Sequence, residues 1–398
     1  MFHPEASEKE VDMRHVGVVT RGIRTPIVRR GDSLVDIVVN SIDEAAQAEG
    51  FTIQDHDIVA VTESVLAKSQ GNFVTIHDVS ADIEEKYGKD ATLGVLFPIL
   101  SRNRFSLILN GIARGVKKVI IQLSYPHDEV GNPVVNPLEI FAKGINTTTQ
   151  VFNDTAFRET FGYESTIHPF TGVDIVNYYH SINDNIEIIF ANDPKEILNY
   201  TDNVLIASIH TRERDKELIQ AAGGKKVYTL ADVLSDRTEE RGFNAEFGVL
   251  GSNASTDEIL KLFPRDSQDF VDAVQRLFFQ RFGKQVEVMV FGDGAFKDPV
   301  AGIWELADPV VSPAYTPGLA GTPNEYKLKY LVDDSGLSDE EIRKKLTNRN
   351  IEQAATLGTT PRRIPDLVGS LADLTSGSGD KGTPVVYIQG YFDNYADE

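Results

Sequence analysis

Apolar residues recur at helical spacing in two long segments of the chain. In the segment Leu34–Glu49 they stand at 34, 37, 38, 42, 45 and 46, which is one face of an amphipathic helix. Asp32 or Ser33 is expected to cap this helix, and Gly50 is expected to end it. The segment Phe270–Phe282 has the same spacing and predicts a second amphipathic helix.

Short β-rich runs predict strands before, between and after these helices. In the run 286–291, Val286, Val288 and Val290 alternate and are expected on one face. A capping box at Ser338 and Glu341 predicts another helix start, whereas 308–323 is rich in Pro and Gly and is predicted to be a loop. The alternation favours α/β or α+β packing and leaves the strand order open. Strands are predicted at 16–20, 58–61, 117–125, 186–190, 204–209, 286–291 and 384–392, and further helices at 104–116, 216–222 and 364–374.

Composition excludes several kinds of site. The chain has 398 residues, a formal charge of −21 and no cysteine. The acidic balance argues against partners recognised through phosphate neutralisation, so neither nucleic acid nor an anionic membrane is expected. Without cysteine there are no disulfides, thiolate nucleophiles or zinc–thiolate centres, and any metal must be held by oxygen or imidazole.

Length and terminal sequence set the expected organisation. At about 150 residues per domain, the chain predicts two to three domains. Residues 1–15 are polar and acidic, which predicts a loose tail and not a signal peptide. No run approaches the length of a membrane span, so a cytoplasmic protein is expected.

The common nucleotide-binding and hydrolase motifs are missing from the sequence. There is no GxxxxGK[ST], GxSxG or HExxH pattern. A GxGxxG pattern occurs at 377–382, but it precedes a predicted strand, which is not the dinucleotide-binding context and favours a flexible loop. Catalysis must therefore rest on carboxylates, lysines, arginines, hydroxyls and backbone groups.

Four segments could carry that chemistry. Asp293 and Asp298 follow a predicted strand in GDGAFKDP, where they could hold Mg²⁺ or Mn²⁺ or could form an ordinary turn. Lys68 in AKSQG could bind phosphate or be a solvated lysine, and Ser252 with Asn253 could line a site or form a turn. The basic run at Arg21, Arg24, Arg29 and Arg30 could receive an anionic substrate or be surface.

Six segments in the same order resemble the coenzyme F420-0:γ-glutamyl ligase family. GIRTPIVRRGDSLVDIV and DIVAVTESVLAKSQG resemble its opening GDDL and VVTxKxxSKAEG segments. NAEFGVLGSN resembles its NAGIDESN, and VMVFGDGAFKDP resembles its VxIxDSFGRPxR. LFPRDSQDFVDAVQRLF and the closing DLVGSLADLTSGSGDKGTPVVYIQG also have counterparts. The resemblance covers residues 16–75 and 240–392 and leaves most of 76–239 unmatched.

The resemblance implies an α+β fold of two domains with mixed and antiparallel sheets, in a homodimer. It divides the chain into a ligase-like domain at 16–239, with an insertion at about 76–239, and a second ligase-like domain at 240–398. It also implies amide-bond formation between L-glutamate and a carboxylate acceptor through an acyl phosphate, with GTP and Mg²⁺ or Mn²⁺. Such chemistry needs cationic clamps and a shielded site and no nucleophilic side chain.

Carried over by position, the resemblance assigns Asp293 to metal binding. Glu246, four residues before Leu250, or Asp298, five residues after Asp293, could supply the second ligand. The resemblance assigns Lys68 and Lys297 to phosphate, and Ser252 and Asn253 to the wall of the site; Arg24 is a further candidate for substrate binding. Two departures stand out, because Leu250 replaces a metal-binding aspartate and Gln70 replaces a glutamate.

Two classes of function follow. The first is a γ-glutamyl ligase acting on an anionic small molecule, which could be coenzyme F420-0 or a folate-like acceptor. The second is a non-catalytic relative that binds a nucleotide or a partner through the segment 76–239. The altered positions, which include 70 and 250, favour changed substrate or metal use, or loss of ligase activity.

Overall fold

The computed structural model describes ten stretches of the chain, and all structural statements below refer to them. The tail at 1–15 and the segment that contains Asp293, Lys297 and Asp298 lie outside the described residues. The described residues are 16–99, 105–129, 131, 134–167, 172–292, 312–323, 336–338, 340–342, 363–376 and 382–393.

A five-stranded mixed sheet forms the first layer of the fold. It is built from β1 (Val19–Ile23), β2 (Ile58–Thr62), β12 (Glu287–Phe291), β13 (Ala314–Tyr315) and β14 (Val385–Gln389), in the order β1-β14-β2-β12-β13. β2 and β12 run parallel, while the other neighbours are antiparallel. Strands from the two ends of the chain therefore pair in one sheet.

Helices cover both faces of this sheet, which explains why its strands are so apolar. α1 (Leu34–Glu49) and α9 (Ser267–Phe282) pack on one face, and α10 (Ile364–Ser376) packs on the other. Val286, Val288 and Val290 share the α1–α9 face as predicted, but Met289 and Phe291 are equally buried on the opposite face. Alternation here separates two cores, and neither face is left to solvent.

The two amphipathic helices predicted from periodicity are confirmed. α1 spans Leu34–Glu49, and Gly50 ends it in the left-handed conformation at φ 72°. Ser33 occupies the N-cap position, but its hydroxyl donates to the Asp36 carboxylate and does not accept from a backbone N–H. α9 extends over Ser267–Phe282 and is closed by Gly283.

A six-stranded sheet occupies the middle of the chain. Its strands are β4 (Thr92–Leu96), β5 (Lys118–Leu123), β6 (Phe152–Asn153), β7 (Ile186–Phe190), β8 (Asn203–Ile206) and β9 (Lys226–Thr229), in the order β6-β7-β5-β4-β8-β9. The last five strands in that order are parallel, and β6 pairs antiparallel at the edge. The helices of this part are α4 (Phe105–Gly115), α5 (Pro137–Ala142), α6 (Asp154–Phe161), α7 (Ile175–Ile182) and α8 (Arg212–Ala221).

A small third sheet connects the two larger ones. It consists of β3 (Phe73–Thr75), β10 (Asn253–Ala254) and β11 (Ile259–Lys261), in the order β10-β11-β3. α2 (Glu63–Gln70) precedes β3, and α3 (Ile76–Tyr87) follows it and packs against α4. Leu260 and Leu262 belong to the same apolar core as β4, β5 and α4, so this small sheet and the six-stranded sheet are packed as one body.

The structure confirms the α+β class with mixed sheets, and it corrects some element boundaries. The first predicted strand lies at Val19–Ile23, three residues later than expected. α8 begins at Arg212, four residues before the predicted start. The predicted loop at 308–323 contains, in its described part, strand β13 and a 3₁₀ turn at Pro317–Leu319. The division into domains at residue 239 stays a prediction.

Candidate active site

A cavity of about 300 Å³ lies at the carboxyl ends of the parallel strands β2 and β12. Parallel strands end at the same edge of a sheet, and loops at such an edge form a natural ligand crevice. Phe291 and Thr62, the last register pair of this ladder, both line the cavity. We call it the strand-end cavity. Its other lining residues are Glu63, Ser64, Val65, Lys68, Asn253, Lys261, Asp373, Ser376, Thr383 and Pro384.

Lys68 reaches the cavity because α2 starts directly where β2 ends. The helix begins at Glu63 and stops after Gln70, where Gly71 takes the left-handed conformation at φ 63°. Lys68 lies in the last turn, where a cation is favoured by the helix dipole, and its side chain is exposed. The predicted phosphate-binding lysine is therefore a solvent-accessible cation of the strand-end cavity.

Asn253 reaches the same cavity from β10, 185 positions along the chain from Lys68 by residue number. It stands opposite Lys261 in the antiparallel pair of β10 and β11. Two residues that the sequence singled out separately, Lys68 and Asn253, are therefore brought together by the fold.

Lys261 and Glu63 form a buried ion pair in the wall of the cavity. The Lys261 ammonium lies 2.8 Å and 3.0 Å from the two carboxylate oxygens of Glu63. The side chains are 9% and 5% exposed. Sequence reasoning missed both residues, although a lone charge inside the apolar run ILKLF was a signal that could have drawn attention to Lys261.

Ser252 is buried beside the cavity but does not line it. Its hydroxyl oxygen has no hydrogen-bond partner among the described residues, and the residue is 1% exposed. The preceding Gly251 has φ 66°, and a Cβ there would lie 1.8 Å from the Phe263 ring. The turn therefore needs glycine at 251.

Glu246 and Arg24, the other described candidates, are exposed and do not line the strand-end cavity. The backbone N–H of Glu246 donates to the Asn244 side chain at 3.0 Å, as part of a turn. In the basic run near Arg24, Arg21 hydrogen-bonds Gln389 and stacks on the Phe51 ring, which is a structural role.

The metal hypothesis rests mainly on residues outside the described ranges. Across the part of the chain that the structure describes, no three His, Asp or Glu side chains are grouped so as to hold a metal ion. The lining of the strand-end cavity does include the oxygen-bearing residues Thr62, Asp373, Ser376 and Thr383, and oxygen is the ligand type that hard divalent ions take.

The two altered positions have structural roles. Leu250 is 5% exposed and packs in the core of the six-stranded sheet. The Gln70 side chain accepts from the backbone N–H of Arg265 at 2.8 Å and donates to the backbone carbonyl of the same residue at 2.6 Å. Neither side chain lines the strand-end cavity.

Comparison with known proteins indicates the same family as the sequence motifs. The sequence model of the F420-0:Gamma-glutamyl ligase family matches residues 22–390, which is most of the chain. The chain belongs to this family. This match extends across the segment 76–239, where no motif had been identified, and it includes every candidate site residue except Arg21.

A shorter similarity links the chain to one characterised relative of this ligase family. It is 27% identical over 73 residues to Coenzyme F420:L-glutamate ligase of Methanothermobacter thermautotrophicus. That alignment covers 17% of this chain and 27% of the relative, so the chain spans about a quarter of the relative's length. No helix within the described ranges is long and apolar enough to cross a membrane.

Proposed function

We propose that this chain is a nucleotide- and divalent-metal-dependent γ-glutamyl ligase whose active site is the strand-end cavity. The observation that carries the proposal is the meeting of Lys68 and Asn253 in one cavity, at the end of the strand that leads to Asp293. Family membership supports the reaction class, and the name of the relative supports coenzyme F420-0 as the first acceptor to test.

The proposed reaction joins L-glutamate to an acceptor carboxylate. The γ-phosphoryl group of GTP moves to the carboxylate and gives an acyl phosphate and GDP. The amine of glutamate then attacks the carbonyl carbon, a proton leaves the nitrogen, and phosphate departs as the amide forms. A protein contributes to such a transfer by positioning its substrates and by stabilising charge on the phosphate oxygens.

Each candidate residue has a part in this proposal. Lys68 offers an accessible ammonium to phosphate oxygens, and Asn253 offers an amide that can donate to a substrate oxygen. Asp293, with Asp298 or Glu246, would hold Mg²⁺ or Mn²⁺. When bound there, the ion would neutralise charge on the nucleotide phosphates. Lys297 stays a predicted substrate contact; Ser252 and Arg24 were predicted as substrate contacts too, but they do not line the cavity.

Phosphate release tests the proposal. The purified protein is incubated with GTP or ATP, Mg²⁺ or Mn²⁺, L-glutamate and a panel of acceptors that includes coenzyme F420-0 and folates. We expect glutamate-dependent release that disappears in Asp293→Ala and persists in Asp184→Ala, a change of an exposed carboxylate outside the cavity. A preference for folates would change the proposed acceptor and would still support a γ-glutamyl ligase reaction.

Calorimetry tests whether the protein binds nucleotide, and sedimentation tests its oligomeric state. Failure to bind either nucleotide with either metal would contradict the ligase proposal and leave a non-catalytic relative. The resemblance also implies a homodimer, which we expect to sediment at twice the mass of the 44.0 kDa chain. A monomer at micromolar concentration would contradict the predicted dimer and would leave the proposed active site unaffected.

A further inference from the structure

The buried ion pair gives the strand-end cavity a second cation, at a different depth from Lys68. Lys261 ends β11, and its neighbours Leu260 and Leu262 are fully buried in the core of the six-stranded sheet. Because successive side chains of a strand point to opposite faces, Lys261 is directed away from that core and into the cavity. Its ammonium is thus held in the wall, whereas Lys68 is exposed.

Glu63 fixes where this ammonium lies. It is the first residue of α2 and is buried, and both of its oxygens accept from Lys261. A carboxylate in the first helical turn is itself favoured by the helix dipole. The lysine is therefore held by a carboxylate on a short, well-anchored helix, which limits the positions its ammonium can take.

One N–H of Lys261 is left for a ligand. A lysine ammonium has three donors, and two of them reach the Glu63 oxygens. In the ranges that the structure describes, Lys261 has no further acceptor, and its side chain lines the cavity. A ligand oxygen that carries negative charge is the partner that such a donor binds most strongly.

A purely structural role explains this pair poorly. Removing two charges from water costs about as much as their attraction returns, so buried ion pairs are a weak source of stability and apolar replacements are often tolerated. This pair is not enclosed in a core. It borders a cavity that holds the other candidate residues, where an oriented cation can contact a ligand.

From this geometry we infer that Lys261 is a ligand-binding residue of the strand-end cavity, donating to an anionic oxygen of the substrate, and that Glu63 is its positioning residue. The inference deepens the proposed function and rests on it. The shared ligand chemistry is an anionic oxygen, which is a phosphate on the nucleotide and a carboxylate on glutamate or the acceptor.

The test compares variants that keep the charge balance of the wall. Glu63→Gln with Lys261→Met removes both charges at similar side-chain length, and Glu63→Leu with Lys261→Leu replaces the pair by apolar groups in case the first variant does not fold. Glu187→Gln with Lys118→Met is the matched control, because it removes an ion pair of 2.7 Å that lies between β5 and β7, away from the cavity. Urea unfolding shows which variants are folded.

We expect the KM of one substrate to rise about ten- to hundred-fold in a folded cavity variant, as for loss of one hydrogen bond to a charged group. The KM values of the other substrates should change less than about twofold, and so should all KM values of the control variant. A rise for the nucleotide assigns the oxygen to phosphate, and a rise for glutamate or the acceptor assigns it to that carboxylate. Glu63→Gln alone, which keeps the cation but frees it, should raise the same KM by a smaller factor.

Binding measurements separate the failure of this inference from the failure of the ligase proposal. Calorimetry with GTP, glutamate and acceptor, each alone, gives Kd values that do not depend on turnover. A wild-type protein that binds but does not ligate would overturn the ligase proposal and leave Lys261 to be judged by its Kd values. Unchanged KM and Kd values in a folded cavity variant would overturn the inference, and wild-type protein that binds none of these ligands would overturn both.

Discussion

A single amide explains one of the two departures from the family motifs. Gln70 stands where the motif has a glutamate, and its side chain both accepts from and donates to the backbone of Arg265. A carboxamide can do both, whereas an ionised carboxylate has no donor. The pairing fastens the end of α2 to the segment that leads into α9. Gln70 is therefore understood through its contact with the backbone, and it carries no sign that activity has been lost.

Gln70→Glu tests this interpretation. We expect the free energy of unfolding to fall by about 1 to 3 kcal/mol, because the Arg265 carbonyl loses its donor and faces a carboxylate. Urea denaturation measures the change, with Gln220→Glu as a control at an exposed position, where less than about 0.5 kcal/mol is expected. Equal stability of Gln70→Glu and wild type would show that the pairing contributes nothing.

The sequence predicted some site residues and missed others for a physical reason. Lys68 and Asn253 carry recognisable motif neighbours, so each was identified where it stands. Lys261 was missed because a lysine in a β-rich run has the pattern of an ordinary solvent-facing position. What makes it a site residue is Glu63, which is 198 positions away and is placed beside it only by the pairing of β3 with β11.

At the scale of elements, prediction succeeded where apolar residues recur at helical spacing over several turns. The helices α1 and α9 were identified over nearly their full lengths, because each has four turns and a terminal glycine. Of the short strands in the six-stranded sheet, β5, β7 and β8 were predicted, and β7 was predicted with its observed bounds. The strands β4, β6 and β9 were missed, since a run of two to five residues has no distinguishing period. Strand order depends on which edges meet in three dimensions, and that information is not local in sequence.

Asp232 gives an element-scale prediction of pH dependence. Its carboxylate completes the capping box of the 3₁₀ turn Leu230–Asp232 after β9, where Thr229 is the N-cap, and it lies 3.1 Å from the Lys216 ammonium. Burial alone would raise its pKa, but the hydrogen bond from the Thr229 backbone and the Lys216 charge outweigh burial and hold the pKa below its ordinary value of 3.8. Such a group stabilises the folded state above the ordinary pKa, and that contribution is lost as the pH falls through the lowered one.

Asp232→Asn should therefore be less stable than wild type at neutral pH, and the difference should shrink below about pH 4. Urea unfolding at pH 7 and at the lowest pH that keeps wild type folded measures both differences. Asp90→Asn, at an exposed aspartate, should show no such convergence. A deficit that stays constant with pH would mean that Asp232 acts through packing and not through its charge.

At the scale of the whole molecule, the candidate site depends on a core that extends well beyond it. Leu260 and Leu262, which flank Lys261, pack in the same apolar cluster as Leu109 of α4 and Val95 of β4. α1, α9 and β1 belong to a different cluster. The six-stranded sheet therefore supports the Lys261 wall of the strand-end cavity, and the sheet β1-β14-β2-β12-β13 supports the strand ends.

Leu109→Ala should reveal this shared core. Leu109 is fully buried, so its truncation should lower the free energy of unfolding by about 2 to 5 kcal/mol. Since sub-global opening follows cooperative packing units, amide exchange should quicken in β11 and β3 as well as in α4 and β4, and should change little in β1 and β14. Val274→Ala, in the cluster of α1 and α9, is the matched variant and should give the opposite distribution. If the effect of Leu109→Ala on exchange were confined to residues 92–229, the six-stranded sheet would be an independent unit, and the Lys261 wall would not depend on it.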